Sequence, residues 1–134
     1  MRKREITREV RDQAATAVRT YPQKRENLRL LRENLAELRQ TESVLKRRVD
    51  AAERARLRTT CAQCELQIKL AEAELKPLER ALDALDSEER MVVEQMLIAP
   101  IRDAAGELAE QLCVEIATVY RRRKRALEKI AMYL

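Results

Sequence analysis

Residues 117 to 131 read ATVYRRRKRALEKIA, and five consecutive cations, Arg121, Arg122, Arg123, Lys124 and Arg125, stand at their centre. Such a run suits one kind of chemistry, the binding of polyanions. A guanidinium grips a phosphate, a carboxylate or the O6 and N7 atoms of guanine through two N–H donors, whereas a lysine ammonium is a compact point charge. From Tyr120 onward six cations face Glu128 alone, so this segment carries a net charge equal to the +5 of the whole chain. The remainder balances to about zero, and the basic charge is therefore local.

Other chemistries are poorly supplied. There is no His and a single Gly, Gly106, with no Gly-rich loop and no nucleophile beside a base, so no enzyme is expected. The carboxylates mostly lie within three or four residues of Arg or Lys, as helix-surface charge. Cys61 and Cys64 form a C-x-x-C, but a structural zinc site needs four N or S ligands and Cys113 is remote in sequence. Both cysteines are expected as buried, inert thiols, with a metal shared across a dimer as the alternative; no cofactor is expected. Three cysteines, an odd number, fit a reducing compartment. The charged start MRKREITREV and the absence of any apolar run near the ~20 residues of a membrane span point to a cytoplasmic protein.

The elements that must position these residues are helical. Charged residues make up 38% and aromatics 2%, without Trp or Phe, and Ala, Leu, Glu, Arg, Lys and Gln dominate. An all-α fold follows, with roughly 80 to 90% helix. Residues 1–21 read as a short charged helix, broken at TYPQ by Pro22. Residues 22–85 read as a helical coiled-coil arm that serves oligomerisation. Its first apolar seam runs Leu28, Leu31, Leu35, Leu38, Leu45, Val49, Ala52, and a second, one residue out of phase, runs from Leu57 through Cys61, Cys64, Ile68, Leu75 and Leu78 to Leu85. The phase slip places an interruption between Ala52 and Cys61. RLRTTCAQ, where Thr60 and Gln63 have capping-box spacing, is the expected turn of an antiparallel hairpin. A single long helix with a stutter is the alternative. Pro77 is expected to kink or restart the second helix.

Residues 86–134 read as a helix-turn-helix domain. Asp86 and Glu89 form a second capping box, and the helix they open is expected to stop before Pro100. Ala109 allows close helix approach, Leu112 and Val114 plug a turn, and Val119 anchors a following helix that also buries Ala126, Leu127 and Ile130.

LDALDSEERMVV, AGELAEQL and above all ATVYRRRKRALEKIA resemble region 4 of bacterial sigma factors and, more closely, the ArpU/RinA-type regulators of phage late genes; residues 82 to 131 carry the resemblance. It implies a DNA-binding transcriptional regulator working in the bacterial host cytoplasm, with a recognition helix at residues 116–132 in the major groove of double-stranded DNA. Homodimerisation or higher homo-oligomerisation through the arm accompanies this reading, and an RNA polymerase contact is allowed by it. The DNA-facing positions become Glu115, Ile116, Ala117, Tyr120, Arg121 and Lys124, a face that helical periodicity also sets opposite Val119 and Ala126. Arg121 is expected at a base edge, Arg123, Lys124 and Arg125 at phosphates, and Thr118 as a residue that caps or orients the helix N-terminus. Two positions depart from the family pattern. Cys113 stands where such turns place Gly, and Arg122 where many have an apolar residue. A phage terminase small subunit, or a coiled-coil interaction module with a basic end that binds an acidic protein, are the competing functions.

Overall fold

The computed structural model describes residues 7–45 and 48–134, and among these it is all-helical, with no strand. Its helices are α1 (Arg8–Leu45), α2 (Ala51–Asp83), α3 (Ser87–Val93), α4 (Ala104–Leu112) and α5 (Ile116–Ala131), with a π-helical turn, Glu94–Ile98, continuing α3. The first six residues of the expected N-terminal helix lie outside the described residues. The chain forms two compact units: one is Gln23–Leu75, and the other joins the described residues up to Pro22 with Lys76–Leu134.

In the Gln23–Leu75 unit, α1 and α2 run antiparallel. Lys24 pairs with Glu74 at 2.6 Å, Arg32 with Glu72 at 3.0 Å and Arg39 with Glu65, so residues that advance along one helix meet residues that recede along the other. Leu28, Cys61, Cys64, Ile68 and Leu75 are buried between them, while Leu31, Leu35, Leu38, Leu45 and Leu57 are only half-buried. The two thiols point into this seam. Cys64 Sγ lies 3.5 Å from the Leu31 carbonyl and Cys61 Sγ 4.0 Å from Glu42 Oε2, and burial, with Glu42 adding to it, pushes the Cys61 thiol up. Among the described residues, no three His, Cys, Asp or Glu side chains gather as metal ligands.

The expected turn at RLRTTCAQ is not where the chain reverses. Thr59 and Thr60 lie inside α2, and their hydroxyls donate to the carbonyls of Ala55 and Arg56, each at 3.0 Å, so the backbone of the preceding turn satisfies them. The helix starts instead at Ala51, after Asp50 Oδ1 accepts the Glu53 N–H at 2.8 Å. Asp50 and Glu53 have the same capping-box spacing as Thr60 and Gln63, with a stronger cap residue.

Neither Pro22 nor Pro77 breaks its helix. Each deprives one carbonyl, of Val18 or of Ala73, of its usual donor. The helices persist because apolar residues around the prolines are held by packing: Ala14, Ala15 and Val18 precede Pro22, and Leu75 and Leu78 bracket Pro77, all of them buried.

In the other unit the main core joins Val18 of α1, Leu78 and Leu82 of α2, Val93 and Leu97 around the end of α3, and Leu127 and Ile130 of α5. A smaller cluster of Val92, Leu108 and Val119, flanked by Ala109, Leu112 and Val114, ties α3, α4 and α5 together. The expected capping box at α3 is present, with Glu89 N–H donating to Asp86 Oδ1 at 2.8 Å and Asp86 N–H to Glu89 Oε1 at 3.1 Å. The Glu89 N–H holds the Asp86 carboxyl below the usual carboxylate range. Ahead of Pro100 the helix widens. Ala99 N–H reaches the Glu94 carbonyl at 2.8 Å and Ile101 N–H the Gln95 carbonyl at 3.2 Å, so the ladder steps over the residue that has no N–H to give.

Candidate nucleic-acid interface

The basic run lies on α5, whose position is set at both ends. Val119 is sealed into the small cluster with Leu108 and Val92, and Ala126, Leu127, Ile130 and Ala131 join the main core. Residues 113 to 115 connect α4 to α5. The connection is closed by Val114 N–H donating to the Ala109 carbonyl at 3.0 Å and Cys113 N–H to the Glu110 carbonyl at 3.3 Å, the bonding pattern of a helix that ends in a left-handed residue. Cys113 has φ 54° and ψ 44°, so the side chain sits in a conformation that favours Gly, at a cost of about 1–2 kcal/mol. Asp103, before α4, is likewise left-handed at φ 51°. Its carboxylate folds over Gly106, and a Cβ there would lie 2.5 Å from Asp103 Oδ2 and push that carboxylate aside.

The five cations separate once their partners are known. Arg122 is half-buried and pairs with Glu88 of α3. Farther along, Lys129 Nζ lies 2.6 Å from Glu89 Oε1. The residue that departs from the apolar pattern is thus held by a carboxylate in the first turn of α3. Glu128 faces Arg11 of α1 at 3.5 Å. Arg121, Lys124 and Arg125 are exposed, and with the half-buried Arg123 they have no ion-pair partner among the described residues.

The other expected contact residues divide by face. Ala117, Arg121 and Lys124 follow one another at four- and three-residue steps on the side of α5 away from Val119. Tyr120 and Arg125 flank that stripe; Tyr120 is 51% and Ile116, in the first turn, 52% exposed. Arg123 stands four residues after Val119 and emerges beside the packed side rather than opposite it. Glu115 precedes the helix in extended backbone with φ −73° and ψ 154°, and no side chain caps α5. Thr118 orients a side chain rather than capping the helix: its Oγ1 accepts from Arg121 Nη2 at 3.0 Å, which fixes that guanidinium over the first turn. Glu88 and Glu89 are the partners that sequence spacing alone missed, because they stand 34 and 40 residues from Arg122 and Lys129. Their sequence signals are an acidic first turn and, for Glu89, the capping-box spacing from Asp86, neither of which points to a cation on α5.

No family model, curated protein or solved structure matches the chain.

Proposed function

We propose that the chain is a sequence-specific DNA-binding transcriptional regulator of the phage or prophage late-gene kind, in which α4 and α5 act as a helix-turn-helix and α5 enters the major groove. The observation that carries this is the sorting of charge on α5: Arg122 and Lys129 are neutralised by α3, while Arg121, Lys124 and Arg125 face outward with no carboxylate to answer them. Arg121, steadied by Thr118, meets a guanine edge; Lys124 and Arg125 meet phosphates on either side, and Ile116 and Tyr120 pack on thymine methyl groups. The uncapped N-terminus of α5 leaves N–H groups for a backbone phosphate. Glu115 is positioned to accept from a cytosine amino group.

The antiparallel α1–α2 pair serves as a coiled-coil arm for homodimerisation, which sets two recognition helices on half-sites about 34 Å apart or a multiple of it. The family resemblance adds an RNA polymerase contact through the outer face of α3. A selection from random duplexes followed by titration tests the central claim. Arg121→Ala is expected to weaken the selected site by about 1–3 kcal/mol and to relax preference, while Arg125→Ala weakens all duplexes alike. Equal, sequence-independent losses in both would overturn the assignment.

A further inference from the structure

The two flanks of the Gln23–Leu75 unit differ in kind. On one, Arg32 and Arg39, seven residues apart, pair with Glu72 and Glu65, also seven apart, and their aliphatic stems cover the seam. On the other, the equivalent shoulder positions are Asn27, Asn34 and Thr41 of α1 and Thr60 and Gln67 of α2, all exposed and too short or too polar to cover it, followed by Glu74, which pairs with Lys24 at the end of the flank. This is the side toward which Leu31, Leu38 and Leu45 lie, and all three remain half-buried. Beyond the shoulders stand exposed Leu30, Val44 and Leu70, the last two each 63% open. In a chain that is 38% charged, Glu37 is the one ionised residue among the described residues along this flank between Asn27 and Val44 and between Thr60 and Leu70. A groove of about 460 Å³, lined by Glu37, Gln40, Thr41, Val44 and Leu45, indents it.

We propose that this uncharged flank is where a second copy of the chain docks, hairpin against hairpin, to complete a four-helix bundle. The inference rests on the dimeric part of the function proposed above and names its surface. A helix in a bundle buries about three positions in seven, whereas a two-helix pair buries two. Here the third, the shoulder position, is uncharged from Asn27 to Thr41 of α1 and at Thr60 and Gln67 of α2, up to the Lys24–Glu74 ion pair that closes this end of the flank. Between Asn27 and Val44 and between Thr60 and Leu70, no cation among the described residues on the flank answers a polyanion. Amides and hydroxyls carry donors and acceptors at once, so Asn34, Thr41 and Gln67 satisfy their own kind across a two-fold axis and fix the register. The flank spans about 26 Å along α1 and about 15 Å along α2 and is some 20 Å across, and two copies together bury roughly 800 Å², the size of a weak interface.

Sedimentation equilibrium on the full chain without DNA tests this. The wild type is expected at twice its 15.6 kDa chain mass. Asn34→Lys with Leu70→Lys is expected to weaken self-association about 100-fold, with helix content by circular dichroism retained. Ala36→Lys, exposed on the opposite flank, is expected to leave it unchanged. Should the double variant lose helix, Gln67→Lys alone is read in the same way. A wild type that stays at 15.6 kDa up to about 100 µM, a mass other than two chains, or equal loss from Ala36→Lys overturns the proposal. None of these outcomes bears on the α5 surface, which the duplex titration tests separately.

Discussion

Lys129 of α5 places its ammonium 2.6 Å from Glu89 Oε1, the same oxygen that accepts the Asp86 backbone N–H at 3.1 Å. One carboxylate, 3% exposed, thus closes the capping box of α3 and ties α3 to α5. Its Oε2 is buried without a hydrogen-bond partner among the described residues, so the site depends on Lys129 for compensation. Removing one partner strands a buried charge; the half-exposed lysine softens that cost. Lys129→Met is expected to destabilise by about 2 kcal/mol in urea unfolding, and Glu89→Gln in that background to recover part of the loss. Additive effects of the two changes would contradict the coupling.

Asp86 makes this cap sensitive to pH. The Glu89 N–H lowers its folded pKa below the unfolded value of about 3.9, so the folded carboxylate binds its proton less readily than the unfolded one. The stabilisation is complete above the unfolded pKa and disappears as pH falls through the folded one. Asp86→Asn keeps the cap but not the charge. The stability difference between wild type and Asp86→Asn should stay flat above about pH 5 and change only below about pH 4, as followed by urea titrations across that range.

Cys113 is left-handed at φ 54° with an L side chain. Cys113→Gly removes the Cβ conflict at a small entropic cost in the unfolded chain, and a net gain of about 1 kcal/mol is expected, seen as a rise in Tm of several degrees. A drop in Tm would mean that the side chain, whose Sγ lies 3.8 Å from the Glu110 carbonyl, contributes more than its backbone strain removes.

Under the proposed duplex binding, the sorting of cations on α5 predicts a salt-dependence signature. Every cation withdrawn from a phosphate lowers the slope of log K against log salt by about one. Lys124→Ala should therefore flatten the slope by about one unit. Arg122→Ala, which removes the Glu88 pair, should leave the slope unchanged and cost about 1 kcal/mol or less of stability. A flattened slope from Arg122→Ala would mean that this guanidinium leaves Glu88 for the phosphate backbone.

Local signals were legible wherever the physics is local. The Asp86 and Glu89 box, the stop before Pro100, and the burial of Val119, Ala126, Leu127 and Ile130 all follow from a few adjacent residues. Helical turns were harder to place. Thr59 and Thr60 weaken a helix on propensity alone, but hydroxyl bonds to Ala55 and Arg56 accommodate them, while Asp50 with Glu53 offered the better start. Pro22 misled in the same direction, and the helix runs on through Pro77 without a restart, since the burial of Val18 and Leu78 outweighs a lost hydrogen bond.

By itself the sequence determined a helical chain, a basic last helix and the face that helix buries, because composition and a 3.6-residue period act within a few turns. Only the tertiary structure decided which cations remain available. Arg122 and Lys129 are indistinguishable from Arg121 and Lys124 by residue type, and the distinction comes from two carboxylates of α3 brought within reach by packing. Charge pairing between residues 34 and 40 positions apart is a property of the fold, since an ion pair depends on distance in space and the sequence records only order along the chain.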